Sequence, residues 1–184
     1  MKPVERTELL DYQTYAESRE QTRPKVLAAK EPRRVHVGQV LTFLFENRDT
    51  IRYQVQEMML TERIVKEADI QHELSTYNEL LGGDGELGAT LLIEIESPAE
   101  RDEKLRAWLD LPKKLYAKLE DGSKVYATFD DRQVDERRLS SVHYVKFQVK
   151  GRAPVALGCE LPDLNVEAAL NEAQRAALSA DLKG

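Results

Sequence analysis

At Val35 the apolar residues of this chain stop recurring at helical spacing and begin to alternate. That change limits the fold more than any other feature, because alternation puts successive side chains on opposite faces of a strand. Val35 and Val37 alternate with Arg34 and His36, and Val40 to Phe45 is apolar on both faces, as in a central strand. Leu87, Ala89, Leu91, Ile93 and Ile95 share one face of a strand over 87–96. His143, Val145, Phe147 and Val149 share one face of another, and Val155 to Cys159 reads as a short strand. Val166 to Leu170 fits strand or helix. An all-helical fold is excluded.

Within 114–130 the apolar pattern selects a hairpin and its turn. A two-residue Asp121-Gly122 loop would pair Leu119 with Lys124 and mix the faces. A three-residue loop, Glu120-Asp121-Gly122, pairs Ala117 with Val125 and Leu115 with Ala127, and puts Gly122 at the left-handed position.

Capping residues mark the helices. Asp11 starts one through about Thr22, and Pro24 suits the first turn of a second, to Lys30. Asp49 caps a helix of about Thr50 to Ile64, and another spans Asp69 to Leu81, where Gly82-Gly83-Asp84-Gly85 ends it. Ser97-Pro98-Ala99-Glu100 opens a helix that turns Leu105, Trp108 and Leu109 inward and stops before Pro112. Charged residues 130–138 read as a loop, and Asn171 to Gln174 opens a last helix. The expected class is α+β: a mainly antiparallel sheet of five or six strands, covered by N-terminal helices and an inserted helical hairpin. At 184 residues one domain is expected: a helical arm over 1–31, the sheet with inserted helices over 35–159, and a C-terminal helix over 171–182.

Composition narrows the function classes. One Cys rules out an internal disulfide, a four-cysteine zinc site and a self-contained iron–sulfur cluster. No apolar run approaches the ~18 residues of a membrane span, and Met-Lys-Pro-Val-Glu-Arg has acid where a signal peptide is hydrophobic. A cytoplasmic protein without membrane contact is expected. Residues 19–36 carry a local charge of +4, but the whole chain is −6 and the basic stretch lacks interleaved aromatics, which argues against nucleic acid.

Gly83-Asp84-Gly85-Glu86-Leu87-Gly88 matches G-x-G-x-x-G, yet a helix precedes it and a strand follows. A dinucleotide fingerprint needs the reverse order, so this is a turn and no cofactor is predicted. Cys159 lacks a neighbouring His, and Glu160 beside it disfavours a thiolate. Ser140-Ser141 lacks a nucleophile elbow. His36 is expected exposed, His143 partly buried and His72 on a polar helix face. Tyr12, Tyr15, Val26 and Leu27 need the sheet or a second chain to cover them, which allows a homodimer.

The densest polar stretch surrounds the junction of strand 40–45 with the helix after it. Glu46, Asn47, Arg48, Arg52, Gln56 and Glu57 form a candidate binding group there. At 100° per residue Glu62 falls on the stripe of Ile51, Val55 and Met58, and Glu73 borders the stripe of the second helix. Antiparallel helices would bring both carboxylates near the connecting turn. With His72 they are candidate metal ligands, or a pair with one raised pKa. The simpler reading is that Glu62 snorkels to water or pairs with Arg63 or Lys66.

Leu44-Phe45-Glu46-Asn47-Arg48-Asp49-Thr50 and Tyr53-Gln54-Val55-Gln56-Glu57-Met58 resemble a bacterial family of proteins of unknown function. His72-Glu73-Leu74 with Tyr77-Asn78, Ala89 to Ile95, and Ala173-Gln174-Arg175-Ala176-Ala177-Leu178 extend the likeness over nearly the whole chain. The resemblance implies a shared fold but no assigned catalytic residue. Members of that family are often encoded near rubrerythrin-like proteins and an iron–sulfur oxidoreductase with heterodisulfide-reductase-type cysteine clusters. The setting implies a redox or peroxide-detoxification context, with one of those proteins as partner. Relatives tend to carry a His-Pro pair near the final strand. This chain has Glu160-Leu161-Pro162 there, so a role resting on that His does not transfer. The leading expectation is a non-catalytic accessory protein. The alternative is a small enzyme or metal-binding protein using the helix pair 50–81.

Overall fold

A strand with one apolar face needs a second apolar surface opposite it, and eight such strands supply two. A computed structural model describes residues 1–130 and 137–184. Among these, β1 (Arg34–Val37), β2 (Leu41–Phe45), β3 (Leu87–Ile93) and β6 (Val142–Phe147) form one sheet in the order β1-β2-β3-β6. β4 (Leu115–Lys118), β5 (Lys124–Tyr126), β7 (Ala156–Leu161) and β8 (Leu164–Ala169) form another, ordered β5-β4-β7-β8. Every pairing is antiparallel. The expected single sheet of five or six strands is therefore two sheets of four. Alternation marks which face of a strand is apolar, but not which strands share a sheet.

The inner faces meet in one core. Val35, Val37, Phe43, Phe45, Leu91 and Phe147 face Leu115, Ala117, Leu157 and Cys159. Phe147 packs against Phe43 and Phe45 at ring separations of 6.1 and 6.4 Å. At one seam Thr128 and Lys146 exchange backbone hydrogen bonds of 2.8 Å, and at the other β1 lies beside β8. The sandwich approaches a flattened barrel. Leu105 and Trp108 belong to the same core, brought there by α4 (Pro98–Ala107), and Leu178 of α6 (Glu172–Asp181) joins them. A short α5 (Leu111–Lys114) leads into β4.

The 114–130 hairpin has the expected register, with Ala117 opposite Val125. The Ala127 amide bonds the Leu115 carbonyl, and Gly122 has φ +81°. The 130–138 loop falls mostly outside the described residues. Val166 to Ala169 resolves as strand, within β8, and Leu170 lies just past its end. Asn171 and Gln174 form the expected capping box, whereas Ser97 caps its helix through a single bond, from the Glu100 amide, without the reciprocal bond of a box.

Three further helices form a second layer: α1 (Tyr12–Lys30), α2 (Arg48–Thr61) and α3 (Glu67–Asn78). Pro24 does not divide α1. Tyr15 and Val26, eleven residues apart and so on one face, both bury against the neighbouring helix layer and hold the helix continuous across the missing donor. Thus α2, rather than the sheet or a second chain, covers Tyr15 and Val26, while Leu27 stays 44% exposed. Asn47, not Asp49, caps α2: its backbone is extended and its side chain accepts from the Thr50 amide. Ile51, Val55 and Met59 of α2 meet Ile70 and Leu74 of α3 and Val4 and Leu9 of the N-terminal segment in a separate, smaller core. No helix among the described residues is long and apolar enough to cross a membrane.

Candidate interaction site

The six residues of the proposed binding group run from just before α2 to its third turn, and they reach in five directions. Glu46 turns toward the outer face of the first sheet, where its carboxylate accepts from Thr50 Oγ1 (2.5 Å) and Thr90 Oγ1 (3.0 Å). Asn47 completes a capping box with Thr50 and donates to Asp181 Oδ1 at 3.3 Å. Asp181 also accepts from Arg33 Nε (2.7 Å) and Nη2 (2.8 Å), in a buried ion pair. Arg52 pairs with Asp49 on the exposed side of α2.

Glu57 holds α1. It accepts from the Tyr15 hydroxyl at 2.6 Å and from Arg19 Nε and Nη2, each at 2.8 Å. The Arg19 bonds first, and then Tyr15, keep its carboxyl below the usual range against the opposing effect of burial. Burial and the Glu57 contact push the Tyr15 hydroxyl well up. Beneath lies a cavity of about 100 Å³ bordered by Leu10, Tyr15, Val26, Tyr53 and Gln56.

Arg48 and Gln56 hold residues 1–10, which cross α2 and α3 as a strap. Arg48 Nη1 donates to the Lys2 and Pro3 carbonyls (3.1 and 2.9 Å), and Nη2 lies 2.7 and 2.8 Å from the Glu8 carboxylate oxygens. The Glu5 amide first, and then Arg48, hold the Glu8 carboxyl below its usual range. The Gln56 carboxamide accepts from the Leu10 amide (2.7 Å) and donates to the Leu10 carbonyl (3.1 Å). Asn78 of α3 treats Val4 in the same way, at 2.8 and 3.0 Å. Glu67 takes Arg6 Nε on both oxygens, at 3.1 and 3.0 Å.

Glu67 and Asn78 escaped the sequence reading, as did the strap they bind. The only local signal was a few apolar residues in a polar segment, Val4, Leu9 and Leu10 among them, and their spacing has no helical or strand period to pair them with a partner.

Glu62, His72 and Glu73 are not grouped as a set of three metal ligands. Glu62 is exposed although it falls at the angle of Ile51 and Val55, because α2 ends at Thr61 and Glu62 is its C-cap, beyond the turns that pack. Glu73 is half-buried and His72 exposed. The two carboxylates flank Tyr77, whose hydroxyl is pushed up by burial first and then by both charges. Among the described residues no three His, Cys, Asp or Glu side chains are grouped to hold a metal ion. Cys159 is fully buried in the sandwich core, and burial pushes its thiol up. His36 is exposed as expected. Its Nδ1 meets Thr42 Oγ1 at 2.8 Å, and Thr42 donates to Glu94 at 2.5 Å.

The polar side chains of α2 and α3 thus hold the chain's own first ten residues. Two carboxamides read backbone, a carboxylate reads an Arg, and a guanidinium reads a Glu. Comparisons with known proteins agree on the family without assigning an activity. No curated protein matches the sequence. A crystal structure described as a novel protein of unknown function from Burkholderia pseudomallei K96243 is similar at 32% identity and a TM-score of 0.90, over 98% of this chain and 100% of that one. Residues 3–182 match the family model described as protein of unknown function (DUF3501). The chain belongs to that family.

Proposed function

We propose that this protein is a non-catalytic accessory that binds a protein of a redox or peroxide-detoxifying system through the helix pair α2–α3. One observation carries the reading: Arg48, Gln56, Glu67 and Asn78 grip a peptide segment by its backbone and its charges. Such a grip suits a surface whose work is binding. Cys159 is a poor thiolate candidate, since its side chain is sealed in the core and its thiol is pushed up. The partner class, a rubrerythrin-like protein or an iron–sulfur oxidoreductase, comes from the setting that the family resemblance implies.

Titration calorimetry of the purified chain with each of those two proteins tests the reading. A saturable complex with one of them, weakened at least tenfold by Arg48→Ala, is the expected result. No complex with either protein overturns the redox assignment.

A further inference from the structure

Residues 1–10 have the contacts of a bound ligand more than those of a folded element. They add no strand to either sheet and no side chain to the sandwich core. Their only regular structure is a single 3₁₀ turn, Arg6–Glu8. Val4 and Leu9 are buried in the smaller helical core, at 2% and 6% exposure. At each anchor the main chain is read by a carboxamide that both accepts from an amide and donates to a carbonyl of one residue. Asn78 does this at Val4, and Gln56 does it at Leu10, next to Leu9. That is the bonding a neighbouring strand would offer, supplied here by helix side chains. Between the anchors, Arg6 meets Glu67 and Glu8 meets Arg48, so the groove specifies charge as well as shape.

We propose that the α2–α3 groove is a peptide-recognition site that this chain fills with its own residues 1–10. A partner segment of the same pattern, apolar-x-Arg-x-Glu-apolar as in Val4-Glu5-Arg6-Thr7-Glu8-Leu9, displaces it. The inference rests on the reading that a partner engages α2–α3, and it names the chemistry that partner presents. Two physical features make displacement feasible. Both ion pairs are solvent-accessible, with 34% and 60% side-chain exposure for Arg6 and Glu67, so they hold the strap weakly. The anchors lie outside the sandwich core, so opening the strap leaves that core intact. The tether raises the local concentration of the strap to the order of millimolar. A free peptide therefore competes poorly, and an effective partner must add contacts elsewhere.

The test uses the full chain and a fluorescein-labelled synthetic peptide of residues 1–10. In Val4→Asp/Leu9→Asp the strap loses its anchors and the groove opens. Fluorescence anisotropy is expected to show saturable peptide binding to this variant, at least tenfold tighter than to the wild type. Adding Asn78→Ala is expected to weaken that binding at least tenfold. A double variant with the wild-type circular dichroism spectrum and no peptide binding overturns the proposal. A second measurement needs no variant. Unlabelled peptide at roughly ten millimolar, above the local concentration set by the tether, is expected to speed hydrogen exchange at the Val4 and Leu10 amides of the wild type, and unchanged exchange at that concentration overturns the proposal. A wild-type dimer that grows with concentration and vanishes in the double variant would assign the groove to a second copy, against a foreign partner. Peptide binding without any complex to the redox proteins keeps this inference and removes their assignment. A redox complex without peptide binding does the reverse.

Discussion

His143 lies opposite Leu91 on the inner side of the first sheet, fully buried. Its Nε2 bonds the Ser140 carbonyl at 2.9 Å, and its Nδ1 has no hydrogen-bond partner among the described residues. Burial disfavours the charged ring, so the folded pKa lies below the unfolded value of about 6.5. The unfolded chain then binds more protons as pH falls through that value. The contribution of the neutral ring to stability is complete above about pH 6.5 and is lost below it, with a slope of up to about 1.4 kcal/mol per pH unit. Urea unfolding at pH 7.5 and 5.5 should show this loss in the wild type and a smaller one in His143→Leu. The Arg33–Asp181 pair makes a different prediction. With side-chain exposures of 12% and 7%, removing one partner strands a buried charge. Arg33→Met should cost about 3–5 kcal/mol, whereas Arg33→Met with Asp181→Leu should lie near the wild type in the same assay. Both residues were legible only as charges. Their pairing spans 148 positions, which no local pattern reports.

At the scale of elements, α1 runs through Pro24 at a cost. The proline removes one helix bond and crowds the preceding turn, a penalty of about 3 kcal/mol relative to alanine. Pro24→Ala should therefore raise stability by up to about that amount, measured by the urea midpoint. The approach of the α3 exit to β3 is less forgiving. A Cβ on Gly88 would sit 1.9 Å from the Leu80 carbonyl oxygen, a backbone atom. Gly88→Ala should destabilise the chain by about 3 kcal/mol as the 79–83 segment is driven off the sheet. The elements themselves were mostly readable. The hairpin at 114–130 was fixed in register by its apolar pairs, and α6 by its capping box. The boundaries that failed were those settled by contacts from elsewhere, as where α2 begins at Arg48 because Asn47 is held by Thr50 and Asp181.

The whole molecule has two cores of unequal depth. The sandwich buries large side chains from both sheets, whereas the helical layer is a smaller cluster closed on one side by the strap. Native-state hydrogen exchange should find amides of β2, β3 and β7 protected close to the global unfolding free energy. Amides of the strap and of α2 and α3 should open earlier, as a separate unit. A single protection level across both layers would contradict this division. The candidate site belongs to this scale. Glu46, Asn47, Arg48, Gln56 and Glu57 stand close in sequence, yet they grip distant parts of the chain: β3, α6, the strap (through both Arg48 and Gln56) and α1.

What the sequence determined by itself was periodic or local: the α+β class, the faces of the strands, the hairpin turn, and the helix starts at Asp11, Ser97 and Asn171. Each follows from side chains a few residues apart, where backbone geometry fixes who faces what. Tertiary structure alone decided that eight strands divide into two sheets, that α1 survives its proline, and that the polar residues of α2 close on the chain's own first residues. These depend on meetings between segments distant in sequence, and residue spacing carries no information about which distant surface a side chain will find.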